Sequence, residues 1–529
     1  MTIFSAQVYP GHALGFIVAD DVNHRHVVLG ATLHDILTRL RADPQRFSKI
    51  DLIFEQQSPF AEPVIIGLPN NGLRLRFDGP EQRLRLIEVL DFTKSHLTYK
   101  DKDILRPSAY NQMGSGVAQA EYQPGPLFKH IYNRLLGPTF PGEYIEPDQE
   151  EHNEMGTYVL SYPGIAFSFP LAKSKWSPEK DCVSLLSSST TQFASSMAIY
   201  RGKSWSHARE SLFTCNTDKR DLHSIPSKNR DLVRDEVTLI KIHGQGQIEL
   251  VRPEGLPSFW IKLGLTSPQD LVANLGPPDA IYRKTDQNMS IHKSSFASYG
   301  RRLKNTVRSH EDSTDTDQSS AYSFTDSSEN EERLGDVAGS VSGECFYNYF
   351  YLGFDVLLST SVAPSPCPPS KKAVELKSNR ECIIPSGLSN RLLTTKLIIH
   401  GNVPGSYSFS RHRRCRWEIS YLEPRKEHKV VNSESPFDEI KNRLQDEWKY
   451  VNRITEKQDD QLGMVLNRDW GDSPGSSCEL LGGWEENASY KRTDLTDNNT
   501  GLDNTTLCGF PGLVFEVMKN GFVSGVTVF

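Results

Sequence analysis

Residues Trp260–Lys284, WIKLGLTSPQDLVANLGPPDAIYRK, decide the fold. An apolar run ends at Leu263, and Gly264 permits a turn. Thr266 is placed to cap a helix, Pro268 suits its first turn, and Asp270 complements its positive end. Leu271, Val272 and Leu275 fall on one helical face. Gly276, Pro277 and Pro278 stop the helix, and Ala280, Ile281 and Tyr282 predict a short strand.

The same order of signals stands near the start of the chain. Leu29 to Thr32 lead into Leu33, Ile36, Leu37 and Leu40, and residues 50–54 then read as a strand. The parallel continues outward. Gly72 to Phe77 alternate apolar and basic residues, and residues 83–90 return as the partner strand. Gly353 to Leu358 and Lys396 to His400 repeat that pair. Pro141 to Tyr144 is echoed by Pro404 to Tyr407, Pro163 to Phe169 by Pro511 to Val517, and Met197 to Tyr200 by Val526 to Phe529. Residues 237–242 and 247–251 predict two more strands, assigned to the first copy. The expected fold is therefore α+β. It holds two tandem copies of a helix plus antiparallel sheet, over residues 13–252 and 253–529. Apolar hairpin faces left wet would each forfeit about 1.5–3 kcal/mol per large side chain, so the copies are expected to share an interface.

A chain of 529 residues accommodates two to four domains. Its hydrophobic share of 37% is low because Ser, Asn and Asp concentrate in tracts. Three of these, 294–343, 360–390 and 471–507, are expected to be disordered insertions in the second copy. Residues Glu311 to Glu332 carry eight acids and no Lys or Arg, a context suited to acidophilic kinases or to a plain spacer. Between the last two tracts Phe437, Ile440, Leu444, Trp448, Val451 and Ile454 step by three or four. That stripe suits burial against the second sheet or, less commonly, a partner.

The net charge of −7 gives no overall pull toward nucleic acid. No secretory leader is expected, and no apolar run approaches the ~20 residues of a membrane span. Eight scattered cysteines without a C-x-x-C suit reduced thiols in a cytosolic protein.

No arrangement of residues specifies a reaction. There is no nucleophile elbow, P-loop or H-E-x-x-H, and Gly244 and Gly246 lack the third glycine of a dinucleotide loop. Asp148, Glu150, Glu151, Glu154 and His152 read better as a solvated loop than as a metal site. No catalytic residue, cofactor or metal is expected. The one exceptional charge run is Arg411 to Arg416, with five basic or potentially basic side chains in six positions. Arg411, Arg413, Arg414 and Arg416 are therefore the candidate contacts for an anionic lipid headgroup, because guanidinium pairs with phosphate in bidentate fashion. A solvent-facing strand neutralised by neighbouring acids is the other reading.

The ordered set Glu55 to Pro59, Gly72 to Asp78, Gln82 to Val89, Pro141 to Tyr144, Ala166 to Phe169 and Leu275 to Pro277 resembles the phagosome assembly factor family. The likeness resumes at Ser290 to His292, Asn348 to Asp355, Pro404 to Tyr407, Arg414 with Cys415, and Phe515 to Met518. It spans both copies and stops at the low-complexity insertions. The resemblance implies a non-enzymatic cytosolic adaptor in autophagy. It would be recruited with a WD-repeat β-propeller partner to phosphoinositide-bearing membranes where autophagosomes form. The alternative it leaves open is a direct lipid-binding module in Golgi or vesicle traffic.

Overall fold

The computed structural model describes residues 4–16, 25–105, 124–147, 155–186, 193–213, 236–253, 256–283, 344–360, 391–422, 430–451, 463–466 and 505–529. The acidic runs at 148–154 and 311–332, and most of the three expected insertions, lie outside them. The third insertion ends earlier than expected, because strand Thr505–Phe510 begins inside it.

The described residues are mostly β with few helices, in four sheets. Each half carries one small sheet and one of eight strands, and the two halves share a strand order. In the first, strands Asp51–Ile53, Val64–Leu68, Leu73–Phe77 and Leu84–Val89 form one antiparallel meander. A second meander runs from Glu143–Ile145 through Met155–Tyr162 and Ile165–Ala172 to Ser196–Tyr200. The last strand of each meander joins the two, with Met197 opposite Val89 and Ile199 opposite Ile87.

The second half repeats this. Ala280–Arg283, Cys345–Tyr349, Phe354–Thr360 and Leu392–His400 form the first meander. Met464–Leu466, Thr505–Phe510, Leu513–Val517 and Val523–Val528 form the second, closed by Leu397 opposite Val528. The small sheets agree too. Phe4–Tyr9 runs parallel to Ser95–Tyr99, as Leu239–Gly244 runs parallel to Trp417–Ile419.

Two expectations are corrected by this pairing. The strands Leu239–Gly244 and Gln247–Val251, assigned to the first copy, pair with Phe259–Lys262 and Trp417–Ile419 in the second small sheet. Pro404 to Tyr407 is a turn region; the position of Glu143–Ile145 is taken by Met464–Leu466.

Two of the helices show how local signals and burial divide the work. Leu33–Arg41 is capped by Thr32, whose side chain accepts from the Asp35 amide, and it buries Leu33, His34, Ile36, Leu37 and Leu40. Pro268–Leu275 is capped by Ser267 rather than Thr266, in a capping box with Asp270. Thr266 instead accepts the Lys262 amide at 2.8 Å and is buried. Gly276 closes the helix at φ 80°, a conformation costly for other residues. Here only Leu271 is buried, while Leu265 in the entry loop stays 72% exposed.

Each half has its own continuous core. In Leu73–Phe77 the apolar residues point in, and Arg74 lies on the outer face, paired in bidentate fashion with Glu88 at 2.7 and 3.0 Å. The helix Phe437–Val451 packs Phe437, Ile440 and Leu444 into the second core, with the Phe437 ring 5.8 Å from that of Phe515. Trp448 on the same stripe remains 37% exposed.

Candidate functional site at the junction of the two halves

The segment after strand Leu392–His400 leaves the second sheet and runs along the first half before entering Trp417–Ile419. Its basic run therefore lies between the halves. Arg414 is buried and donates Nε–H to the Pro80 carbonyl at 2.6 Å and Nη1–H to the Gly401 carbonyl at 2.5 Å. Its third nitrogen meets Glu434 at 3.0 Å, and its guanidinium lies 4.2 Å above the Phe60 ring. Arg416 pairs with the same Glu434 at 2.9 Å and reaches Glu81 of the first half at 3.5 Å. Arg413 shares Glu236 with Arg83. Arg411 is the exposed member of the four, with its guanidinium over the Tyr407 ring.

Of the four expected lipid contacts, Arg411 alone is exposed, Arg413 and Arg416 are half-buried and Arg414 is buried. Three of the four guanidinium groups are engaged by carboxylates and carbonyls within the chain. A headgroup would have to displace Glu236 and Glu434, and leaving one partner of a buried pair uncompensated costs about 3–5 kcal/mol. Burial lowers the Arg414 pKa, and burial together with neighbouring Arg83 brings Arg413 to about 10, against Asp35. Both remain cationic at neutral pH. Burial likewise pushes the Cys415 thiol up to about 12, which makes it a packing residue and a poor nucleophile.

Amides and rings extend the junction on both sides. Gln82 and Asn402 bond reciprocally, Asn520 donates to the Gln56 carbonyl at 2.6 Å, and Arg41 donates to Ser410 at 3.0 Å. Phe54 meets Phe409 and Phe60 meets Phe522 edge to face, at 5.1 and 5.4 Å. His34 stands against Tyr351 at 5.3 Å.

Beside this junction, on the outer face of the second large sheet, lie Asp355, His400 and His412, which the sequence did not mark as a group. Phe354, Val356, Leu397 and Ile399 enter the core, so Asp355 and His400 point the other way. Asp355 accepts from His400 Nε2 at 2.7 Å, and His412 stacks on His400 with centroids 3.8 Å apart. Strand alternation signals that Asp355 and His400 face outward; the loop that brings His412 over them cannot be read from spacing.

At the surface, Trp260, Leu265, Val272 and Ile281 are exposed apolar side chains around the second helix and its following strand. That strand, Ala280–Arg283, is the edge of its sheet among the described residues. No helix among the described residues is long and apolar enough to cross a membrane.

The family described as Phagosome assembly factor 1 matches residues 23–306 and 388–529. A PHAF1 protein of Arabidopsis thaliana is 22% identical over 512 residues, covering 95% of this chain and 89% of the relative. A PHAF1 protein of Caenorhabditis elegans is 23% identical over 78% of each chain. One from Drosophila melanogaster is 21% identical over 95% of this chain and 90% of its own length. No solved structure matches the chain.

Proposed function

The chain belongs to the phagosome assembly factor 1 family, and on that premise we propose that it acts in phagosome or autophagosome assembly as a non-catalytic cytoplasmic adaptor. Its partner in this reading is a WD-repeat β-propeller, with which it is recruited to forming autophagosomal membranes. The observation that carries the proposal is the family match on both halves of the chain. The fold supports it: two sheet-bearing halves held by a buried junction present a broad scaffold, with exposed apolar side chains such as Leu265 and Ile281 and an open sheet edge at Ala280–Arg283.

Contact with phosphoinositides is assigned to the partner, since Arg413, Arg414 and Arg416 are engaged inside the chain. Affinity purification from starved cells tests the adaptor reading. Co-purification of a propeller protein that weakens with Leu265→Asp and Ile281→Asp supports it, and repeated absence of any propeller protein refutes it. Flotation with phosphoinositide liposomes separates the alternative of a direct lipid-binding module in Golgi or vesicle traffic. Binding by the pure chain without a partner would favour that alternative.

A further inference from the structure

Buried polar atoms are nearly always hydrogen-bonded, and an orphan costs about 1–3 kcal/mol. Around Asp355 several orphans gather. Both ring nitrogens of His412 are buried and make no hydrogen bond among the described residues. Oδ1 of Asp355 and both ends of the Asn348 amide likewise lack a well-formed hydrogen bond, although the amide lies close enough to Asp355 to favour its charged form. Asn348 lies opposite Asp355 in the strand register and is fully buried. The ligand atoms of Asp355, His400 and His412 all lie within 4.8 Å of one another.

We propose that Asp355, His400 and His412 bind one divalent transition-metal ion, with Zn2+ the best match, and that the ion ties the 400–416 segment to the second sheet. The donors decide the class. Two imidazoles and a carboxylate suit Zn2+ and its neighbours, whereas Ca2+ and Mg2+ prefer oxygen ligands throughout. Tetrahedral Zn2+ with ligands at about 2.0–2.2 Å sets its donors roughly 3.3 Å apart, so side-chain shifts on the order of 1 Å complete the set. The ion takes the place of the proton that His400 Nε2 shares with Asp355, the ring adopting the Nδ1–H form, and His412 swings from its stack to supply a nitrogen. Asn348 Oδ1, beside the carboxylate, is the candidate fourth ligand.

Three features separate this cluster from an ordinary polar contact. The carboxylate is nearly fully buried, which favours an ion over bulk water. His412 has ring neighbours in His400 and Phe350 but no hydrogen-bond partner among the described residues. The site also lies two positions from Arg414, so fixing His412 fixes the anchor of the junction. This inference stands apart from the adaptor reading, and its test involves no partner.

The test uses the full-length chain, stripped with a chelator and titrated with Zn2+ alone by calorimetry and with Co2+ alone by absorption. The expected result is one ion per chain and a raised melting temperature. His412→Phe keeps the ring stack and removes the nitrogens; it should weaken binding at least ~100-fold, while His243→Ala leaves binding intact. Binding unchanged in both His412→Phe and Asp355→Asn, or no saturable binding by the wild type, would overturn the proposal. Should the variants fail to fold, the wild-type Co2+ spectrum decides. Intense tetrahedral bands without thiolate charge transfer support the site, and thiolate charge transfer, or no such bands, rejects it.

Discussion

Gln82 and Asn402, 320 positions apart, exchange two hydrogen bonds of 2.7 Å across the junction. The Gln82 side-chain amide donates to the Asn402 main-chain carbonyl, and the Asn402 side-chain amide donates to the Gln82 side-chain oxygen. Both residues hold left-handed backbone, at φ 52° and 44°. Such a conformation costs about 1–2 kcal/mol outside glycine and persists where the surroundings fix it. Here each strained residue is fixed by the other half of the chain.

Removing either side chain is expected to destabilise the chain by about 1–3 kcal/mol, since Gln82→Ala strands the Asn402 amide N–H and Asn402→Ala strands the Gln82 side-chain oxygen in a buried place. Gln82→Ala with Asn402→Ala should cost less than the sum of the single changes. Urea unfolding of the four members of the cycle measures the coupling.

The four arginines of the basic run should differ sharply in their effect. Arg414→Met leaves the Pro80 and Gly401 carbonyls without their buried donor and Glu434 with Arg416 as its remaining arginine, and is expected to cost about 3–5 kcal/mol. Arg411→Ala removes an exposed ring contact and should stay near ~0.5–1 kcal/mol. Equal losses at both positions in thermal melts would contradict the burial pattern described above.

Acid should loosen the junction. Burial raises the Glu434 carboxyl, but Arg414, Arg416 and the Ser433 hydroxyl outweigh it and hold it below its ordinary 4.5. Burial likewise raises Asp35, yet the His34 ring 3.9 Å away, Arg413 and Thr32 bring it down to about 2. A depressed acid stabilises the fold above its unfolded pKa, and that contribution fades as pH falls through the folded value. Glu434→Gln should therefore melt well below the wild type at pH 7, with the gap narrowing below about pH 4. A gap that is constant with pH would exclude a charge-based role.

Residues 1–235 expressed alone should melt at lower temperature than the full chain, or aggregate. The fragment exposes Phe54 and Phe60 without Phe409 and Phe522, and Arg83 without Glu236. Each large ring left wet forfeits about 1.5–3 kcal/mol. Calorimetry showing a fragment as stable as the intact chain would mean the junction adds nothing.

Ser267→Ala removes the capping box and should cost about 1 kcal/mol, measurable in the same unfolding assay. Thr266→Ala should cost a similar amount for a different reason, since it leaves the Lys262 amide unpaired in a tight turn.

The sequence by itself determined the local elements and their repetition. The alternation of Leu73 to Phe77, the stop at Gly276 and the stripe from Phe437 to Leu444 are short-range patterns, set by the strand period of two and the helix period of 3.6 residues. They survive in the structure because neighbours in sequence impose them. Only the tertiary structure decided what Arg411 to Arg416 touch, which half owns Leu239–Val251, and that His400 meets His412 and Asp355. Those outcomes depend on Glu236, Glu434 and Pro80, brought near by the docking of one half on the other. A cation run reads the same whether water or a distant carboxylate receives it, and chain spacing carries no record of which.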